Sequence, residues 1–203
     1  MQLPIDINTI KGFLDPEEGA ALYQHGLATA ALGPCLEVGS YCGKSTVYLG
    51  TAAKHANNIV YAVDHHRGSE EHQLGEEYHD PDLYDAGVGL MDSFREFRKA
   101  MRAAQLENHV VPIVAPSTVA ARHWATPLGM VFIDGGHSWE AALNDYRSWV
   151  AHIRVGGILA IHDIFPDPTQ GGQAPYDIWK LAKASGLFEE LPMVKTLGLF
   201  RRV

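Results

Sequence analysis

The chain has 203 residues, of which 46% are apolar and 20% are charged, so its composition is that of a globular protein with one full core. Sixteen Lys and Arg against 24 Asp and Glu give a formal charge of −8, and the stretch from Asp64 to Asp92 holds the whole imbalance. A surface without a basic excess releases no counterions from phosphate groups, which argues against a nucleic-acid or anionic-membrane partner.

These quantities predict a single domain over residues 1–203. The sequence contains no apolar run of about 18 residues, and its start has neither a basic nor an apolar targeting segment. We therefore expect a cytoplasmic protein. Cys35 and Cys42 are too few for a disulfide framework, so we expect reduced thiols.

Apolar residues alternate between short strand-like runs and longer helical stretches, a pattern typical of a parallel α/β sheet. The first helix is predicted over 15–32 because Asp15 and Pro16 are a helix cap and a first-turn residue. Strands are predicted over 34–38, 59–63, 110–114, 130–133, 158–161, 188–194 and 197–203, and further helices over 44–55, 92–105, 118–123, 139–153 and 176–184. A tight turn at Thr196 joins the last two strands.

The acidic stretch interrupts this alternation after the second strand. It has no apolar period over about 25 residues, and loops of that length in compact domains are usually functional. We interpret residues 65–91 as an irregular insertion or lid.

A glycine loop, Gly39-Ser-Tyr-Cys-Gly43-Lys-Ser45, joins the first strand to the next helix. It has one residue too few between its glycines for a Walker A loop, and Tyr41 occupies the place of the second glycine in a dinucleotide fingerprint. The loop instead favours a ligand that approaches the backbone at both glycines and places a carboxylate near the helix N-terminus. Asp64 ends the second strand, where an acid can bridge two vicinal hydroxyls. S-adenosylmethionine has these features, since it is a nucleoside that carries a carboxylate and no phosphate.

At these residues the chain resembles the class I S-adenosylmethionine-dependent methyltransferases. The first motif of that family matches Glu37-Val-Gly39-Ser40 with Gly43, the second matches Asp64, and the resemblance covers nearly the whole chain. It implies a Rossmann-like, seven-stranded, mostly parallel sheet with a C-terminal antiparallel strand pair. It also implies that Glu37 organises the loop, and that the cofactor is bound by Glu37, Gly39, Ser40, Gly43, Ser45, Asp64, His65 and Ser117. Plain turn glycines and a helix-capping Ser117 are the alternatives.

Acids and a histidine follow two further strands of the predicted sheet. Asp134 ends the fourth strand, and His162-Asp163 ends the fifth. Neighbouring strands lie about 4.8 Å apart, so these side chains can converge, where they must share protons or bind a cation. Oxygen ligands favour Mg²⁺ or Mn²⁺. Helix and turn capping by the two acids is the alternative.

This constellation resembles the metal-dependent O-methyltransferases, including those of the macrocin and cephalosporin-tailoring type. In that family an acid after the fourth strand and a pair after the fifth hold Mg²⁺. His162 stands where a second acid is common in the pair. The resemblance implies a site formed by Asp134, His162 and Asp163.

His137 follows a Gly-Gly pair that lets the chain turn sharply. An acceptor hydroxyl must lose its proton as it attacks the methyl group, and an imidazole suits that role. We predict that His137 is the catalytic base, with a helix-capping or hydrogen-bonded structural histidine as the alternative.

The insertion carries many neutral hydrogen-bonding side chains, and we expect an acceptor pocket formed by His66, His72, Gln73, Tyr78 and His79. Such a lining in an acidic setting favours a neutral polyhydroxylated acceptor, such as a sugar or an oligosaccharide. The pattern resembles a small actinobacterial branch of these enzymes that includes the mannoside 1-O-methyltransferases of methylmannose polysaccharide synthesis.

Three other functions stay open on the sequence alone. They are O-methylation of a phenol, a non-catalytic nucleotide-binding domain, and a dinucleotide oxidoreductase. The expected partner is a small-molecule or oligosaccharide acceptor, and the sequence leaves a homodimer open.

Overall fold

The structure is a computed structural model that describes residues 1–69 and 80–203. Its strands are β1 (Cys35–Val38), β2 (Val60–Val63), β3 (Tyr84–Asp85), β4 (Leu90–Met91), β5 (Val110–Ile113), β6 (Leu128–Ile133), β7 (Ile153–Ile161), β8 (Phe188–Val194) and β9 (Leu197–Arg202). Its α-helices are α1 (Pro16–Thr29), α2 (Lys44–His55), α3 (Phe94–Ala103), α4 (Ser117–Ala120), α5 (Trp139–Trp149) and α6 (Ala174–Ala184). Within the described ranges, none of the helices has both the length and the apolar character that a membrane crossing requires.

Seven of the strands form one sheet in the order β5-β2-β1-β6-β7-β9-β8. The first five of these are parallel, whereas β9 runs antiparallel to both β7 and β8. Val38 is in register with Val63 and Ile133, and Ile133 with Ile161, so four strands end level at one edge of the sheet. The predicted Rossmann-like methyltransferase sheet with its C-terminal antiparallel pair is confirmed.

Both faces of the sheet are covered, as the nearly continuous apolar strands require. On one face a core forms around Leu22, Val47 and Phe97 of α1, α2 and α3. On the other face Trp149 of α5 and Ile178 of α6 pack against the strands.

Most predicted elements are present, with shifted ends. The helix predicted over 15–32 begins with the Asp15 cap but ends at Thr29. The helix predicted to reach residue 153 ends at Trp149 and continues as a short 3-10 helix, after which β7 begins five residues earlier than predicted. The two cysteines are free and buried.

The end of the insertion is more regular than the sequence suggests. A 3-10 helix at Pro81–Leu83 leads into the β3–β4 hairpin, so the prediction of an irregular segment is wrong for these residues. The physical reason is local burial: Leu83 and Met91 pack with Cys42 of the glycine loop in a small apolar cluster. Too few apolar residues take part to produce a visible sequence period.

Candidate active site

A cavity of about 470 Å³ opens at the edge where the parallel strands end. Its volume lies within the ~300–1,000 Å³ range of small-molecule sites, and its position is where doubly wound sheets bind ligands. The cavity brings together most of the predicted site residues, namely Gly39, Ser40, Ser45, Asp64, His65, Ser117, Asp134, His137, His162 and Asp163. Glu37, Gly43 and His66 are not among its lining residues.

Asp64 holds the glycine loop in shape. Its Oδ2 accepts hydrogen bonds from the backbone N–H groups of Ser40 (3.0 Å) and Tyr41 (2.8 Å), and its Oδ1 accepts one from the N–H of His66 (2.7 Å). The strand-end acid therefore fixes the loop backbone while it also lines the cavity. The sequence indicated only its second role, toward ligand hydroxyls.

Glu37 lies beneath the loop and is fully buried. Its carboxylate oxygens accept hydrogen bonds from the hydroxyls of Ser45 and Thr46, both at 2.5 Å, in the first turn of α2. Burial raises the pKa of Glu37 to about 8, despite these two hydrogen bonds. Glu37 thus organises the start of α2. It is not among the cavity-lining residues, whereas its partner Ser45 is, so its contact with the cofactor stays a prediction.

The two loop glycines are required by the protein itself. Gly39 has φ 85°, and a Cβ there would lie 1.9 Å from the carbonyl oxygen of Asp134. Gly43 has φ 92°, and a Cβ there would lie 2.9 Å from Cε of Met101 in α3. The close approach predicted for a ligand is in fact made by β6 and α3. Gly39 still lines the cavity, whereas Gly43 does not.

Ser40 lines the cavity and carries a buried hydroxyl. The residue is 2% exposed, and its hydroxyl oxygen is one of the buried polar atoms for which the described part of the chain provides no hydrogen-bond partner. Because an unsatisfied buried hydroxyl is costly, this atom is suited to a polar ligand group. Its position is compatible with the predicted contact between Ser40 and the cofactor.

Ser117 lies at another part of the cavity wall, at the start of α4. Its hydroxyl accepts a hydrogen bond from the indole N–H of Trp149 at 2.8 Å and also interacts with Asp145. Ser117 is the first residue of α4 and Pro116 is the cap, so the helix-capping alternative is wrong.

Asp145 is a lining residue that sequence reasoning missed. It is buried in the middle of α5, and burial raises its pKa to about 6. A signal was available, because Asp145 lies in the helical stripe that also contains the buried Ala142 and Trp149. An acid in an apolar stripe indicates a specific polar contact.

Asp134, His162 and Asp163 meet at one point, as the sequence predicts. Nδ1 of His162 lies 3.1 Å from Oδ1 of Asp134 and 3.4 Å from Oδ2 of Asp163. One ligand atom from each of the three residues lies within 4.8 Å of the others. The cap of α5 is Ser138, which rules out the alternative that Asp134 caps this helix.

The charges around His162 are strongly unbalanced. Burial by itself would lower the pKa of His162, but the adjacent carboxylates, with Asp134 foremost, outweigh it and raise the pKa. Burial would likewise raise the pKa of Asp163, yet hydrogen bonds with His137 and His162 hold it well below its usual range. Two carboxylate oxygens and an imidazole nitrogen form a donor set that fits Mg²⁺ or Mn²⁺.

His137 extends this cluster toward the open part of the cavity. Its Nε2 lies 3.1 Å from Oδ2 of Asp163, and its side chain is 33% exposed. The preceding Gly135 passes so close to Asp145 that a Cβ would lie 2.4 Å from Oδ2. Gly135 is thus required by close packing against α5, and neither Gly135 nor Gly136 has a positive φ, so the pair does not form the sharp turn that the sequence suggests.

His66 does not line the cavity that the described residues form. It is 2% exposed, its Nδ1 lies 2.8 Å from the hydroxyl of Ser93, and its ring packs against Phe94 and Phe97. The cause is the turn after β2, where His66 has φ 58° and its N–H is bound by Asp64. His72, Gln73, Tyr78 and His79 lie outside the described residues.

The N-terminal segment Lys11–Leu14 also lines the cavity, which the sequence did not indicate. Nζ of Lys44 donates to the carbonyl oxygen of Gly12 at 3.0 Å. Nζ of Lys11 lies 2.6 Å from Asp80 and 2.9 Å from Asp82. These contacts join the segment to the start of α2 and to the end of the insertion. Contacts between segments so distant in the chain leave no local pattern in the sequence.

Comparisons with known proteins agree with this geometry. The model of the methyltransferase domain family matches residues 36–164, more than half of the chain. The chain is similar in structure to the O-methyltransferase NovP, with 14% identity and a TM-score of 0.71 over 92% of this chain and 80% of that one. It is also similar to an O-methyltransferase from Bacillus cereus in complex with SAH, with 14% identity and a TM-score of 0.64 over 96% and 86%.

A third solved structure, the SAH-bound methyltransferase PaMTH1 from Podospora anserina, shares 11% identity and has a TM-score of 0.66 over 94% of this chain and 80% of that one. At such identities the three structures support the fold. The family match favours methyl transfer over both the non-catalytic and the oxidoreductase alternatives. The chain belongs to the methyltransferase domain family and is an S-adenosylmethionine-dependent class I methyltransferase.

Proposed function

We propose that this protein is a divalent-metal-dependent O-methyltransferase that acts on a hydroxyl of a small, neutral, polyhydroxylated acceptor of the sugar class, such as a mannoside. The observation that carries the proposal is the meeting of Asp134, His162 and Asp163 beside His137 on one cavity wall. Methyl transfer to a hydroxyl needs activation of the acceptor and removal of its proton, and these four residues are suited to both.

Asp134, Asp163 and Nδ1 of His162 would hold Mg²⁺ or Mn²⁺. When bound, the ion supplies positive charge that lowers the pKa of a nearby hydroxyl. Asp134 and Asp163 are each about one quarter exposed, so the acceptor can reach this point from the cavity. The chain's own contribution is to fix the three donors on the rigid ends of β6 and β7.

His137 would take the acceptor proton at Nδ1, because Nε2 carries the hydrogen that is donated to Oδ2 of Asp163. The acceptor oxygen forms a bond to the methyl carbon, the bond between that carbon and sulfur breaks, and S-adenosylhomocysteine leaves. Asp163 accepts a hydrogen bond from His137 and thereby orients the imidazole and stabilises its charged form. Ser40 and Asp64 lie on the glycine-loop side of the same cavity, where the cofactor would bind.

The surroundings of the cavity support a neutral acceptor. Four acids line the cavity, namely Asp64, Asp134, Asp145 and Asp163, against two lysines, Lys11 and Lys44, of which Lys11 is paired with Asp80 and Asp82. An anionic acceptor would meet like charge at this lining. Phe13 lines the cavity with its ring 70% exposed, which offers an apolar surface for the C–H face of a sugar.

An acceptor panel tests this function. Purified enzyme with Mg²⁺ would be assayed for release of S-adenosylhomocysteine with mannosides, other hexosides and catechols. We expect turnover with a glycoside and loss of turnover in EDTA. Methylation confined to catechols would overturn the sugar acceptor, and full turnover in EDTA would overturn the metal.

A further inference from the structure

Glu18 of α1 is a buried carboxylate that contacts His162, one of the three proposed metal ligands, on the side of the ring opposite Asp134 and Asp163. Its Oε2 lies 2.9 Å from Nε2 of His162, and the two side chains are 3% and 4% exposed. Glu18 does not line the cavity, so it can influence a bound ion or acceptor only through His162.

The Glu18 carboxylate is held by four donors. Oε1 accepts hydrogen bonds from the N–H and the hydroxyl of Thr196, at 2.9 and 2.7 Å. Oε2 accepts one from the N–H of Asp15, at 3.1 Å, in addition to the contact with His162. A carboxylate has about four acceptor positions, so all of them are used and the group has one fixed orientation.

This arrangement determines which nitrogen of His162 carries a hydrogen. An ionised carboxylate has no proton to donate, so Nε2 must carry the hydrogen in the contact with Glu18. The N–H groups of Asp15 and Thr196 and the hydroxyl of Thr196 all donate to Glu18, which leaves no place for a proton on this carboxylate and favours its ionised form. Nδ1 faces the carboxylates of Asp134 and Asp163, so without a cation it is protonated as well; a bound ion would take the place of that proton and leave Nε2 as the protonated atom.

We propose that Glu18 is a positioning residue for the metal site: it binds Nε2–H of His162 and so presents Nδ1 as a ligand between Asp134 and Asp163. This inference rests on the metal site of the proposed function. A metal-binding histidine commonly donates its other ring N–H to a carboxylate, and loss of such a partner typically costs about 10–100-fold in metal affinity.

The cap of α1 does not explain the whole arrangement. A capping box needs the side chain of Glu18 to reach only the N–H of Asp15. The same carboxylate also reaches the turn between β8 and β9 and the end of β7, which are distant in sequence. Its position thus links α1 to the strand that carries two of the three proposed ligands.

The variant Glu18→Gln separates positioning from folding. The amide has one oxygen, and if that oxygen keeps the two Thr196 donors, its NH₂ faces both Nε2 of His162 and the N–H of Asp15. The ring must then carry its hydrogen on Nδ1, which blocks the metal ligand. Glu17→Gln is the matched control, because Glu17 lies in the same turn but is exposed and pairs with Lys195.

The test measures Mn²⁺ affinity by titration with electron paramagnetic resonance, without methyl donor or acceptor. We expect Glu18→Gln to weaken Mn²⁺ binding about 10–100-fold and Glu17→Gln to leave it unchanged. Folded Glu18→Gln with wild-type affinity would overturn the role of Glu18 alone. Failure of the wild type to bind Mn²⁺ would overturn the metal site, and this inference with it.

A second measurement needs no variant, in case Glu18→Gln does not fold. The nitrogen chemical shifts of His162 in the Mg²⁺-loaded wild type report which ring atom is protonated. We expect hydrogen on Nε2. Hydrogen on Nδ1 in the loaded protein would overturn the proposal.

Discussion

Oδ2 of Asp163 lies 3.1 Å from Nε2 of His137 and 3.4 Å from Nδ1 of His162, so one carboxylate contacts both the proposed base and the proposed metal ligand. Asp163 has φ 59°, a left-handed conformation at the end of β7 that turns its side chain into this position. Proton removal and metal binding therefore share a residue, and substitutions must be chosen that separate them.

Replacement of His137 tests proton removal. We expect His137→Asn to lower kcat by about 10²–10⁴-fold, because an amide cannot take the acceptor proton. Affinity for S-adenosylhomocysteine, measured by calorimetry, should stay at the wild-type value. His123→Asn is the control, because His123 is exposed and has φ 62°, a conformation that Asn tolerates. Equal activity of His137→Asn and the wild type would contradict the assignment.

Replacement of Asp134 tests the metal ligands. Asp134→Asn keeps the shape but removes the charge, so we expect Mg²⁺-dependent turnover to require at least about 10-fold more Mg²⁺. Asp167→Asn is the control, because Asp167 is exposed and makes local hydrogen bonds to Thr169. An unchanged Mg²⁺ dependence of Asp134→Asn would remove this residue from the site.

Substitution of Gly39 and of Gly186 distinguishes two causes of lost stability, a steric clash of the new Cβ and the strain of a positive φ. Gly39 and Gly186 have φ 85° and 71°, but only at Gly39 would a Cβ clash, 1.9 Å from the carbonyl oxygen of Asp134. We expect Gly186→Ala to cost about 1–2 kcal/mol of unfolding free energy and Gly39→Ala to cost at least about 3 kcal/mol or to prevent folding. Urea denaturation measures both, and equal costs would contradict the packing argument.

The raised pKa of Glu37 predicts a pH dependence of stability. Its pKa is about 8 in the folded protein against 4.5 for the ordinary group. Between these values the folded state binds a proton that the unfolded state has lost, so the free energy of unfolding falls as pH rises. The slope from this group is at most about 1.4 kcal/mol per pH unit.

Glu37→Gln removes that titration and should flatten the curve in the same pH window. Urea denaturation at several pH values, with the two curves subtracted, isolates the contribution of Glu37. Parallel curves for the wild type and the variant would show that Glu37 is already ionised in the folded protein.

Release of the N-terminal segment tests whether it forms part of the acceptor site. Lys11→Ala removes the contacts with Asp80 and Asp82, and we expect the KM of the acceptor to rise while the melting temperature changes little, since exposed ion pairs contribute about 0–1 kcal/mol. Lys99→Ala, which breaks an exposed pair with Glu96, is the control. An unchanged acceptor KM would separate this segment from acceptor binding.

The sequence by itself determined the order of the elements and the position of the site. Strand periodicity, the Asp15 cap and the Gly39–Gly43 loop are local signals, because each depends on residues a few positions apart. The rule that ligands bind where parallel strands end then placed Asp64, Asp134 and Asp163 at one edge. These inferences needed no knowledge of how helices pack against the sheet.

Only the tertiary structure decided which site residues contact one another and which of them line the cavity. The contact between Glu18 and His162 joins positions 144 residues apart, and the turn at His66 directs its ring toward α3 instead of the cavity. A Cβ on Gly39 would meet the backbone of Asp134, a contact that the loop sequence does not indicate. Such contacts depend on the relative placement of whole elements, which sequence periodicity does not encode because it reports only which face of each element is buried.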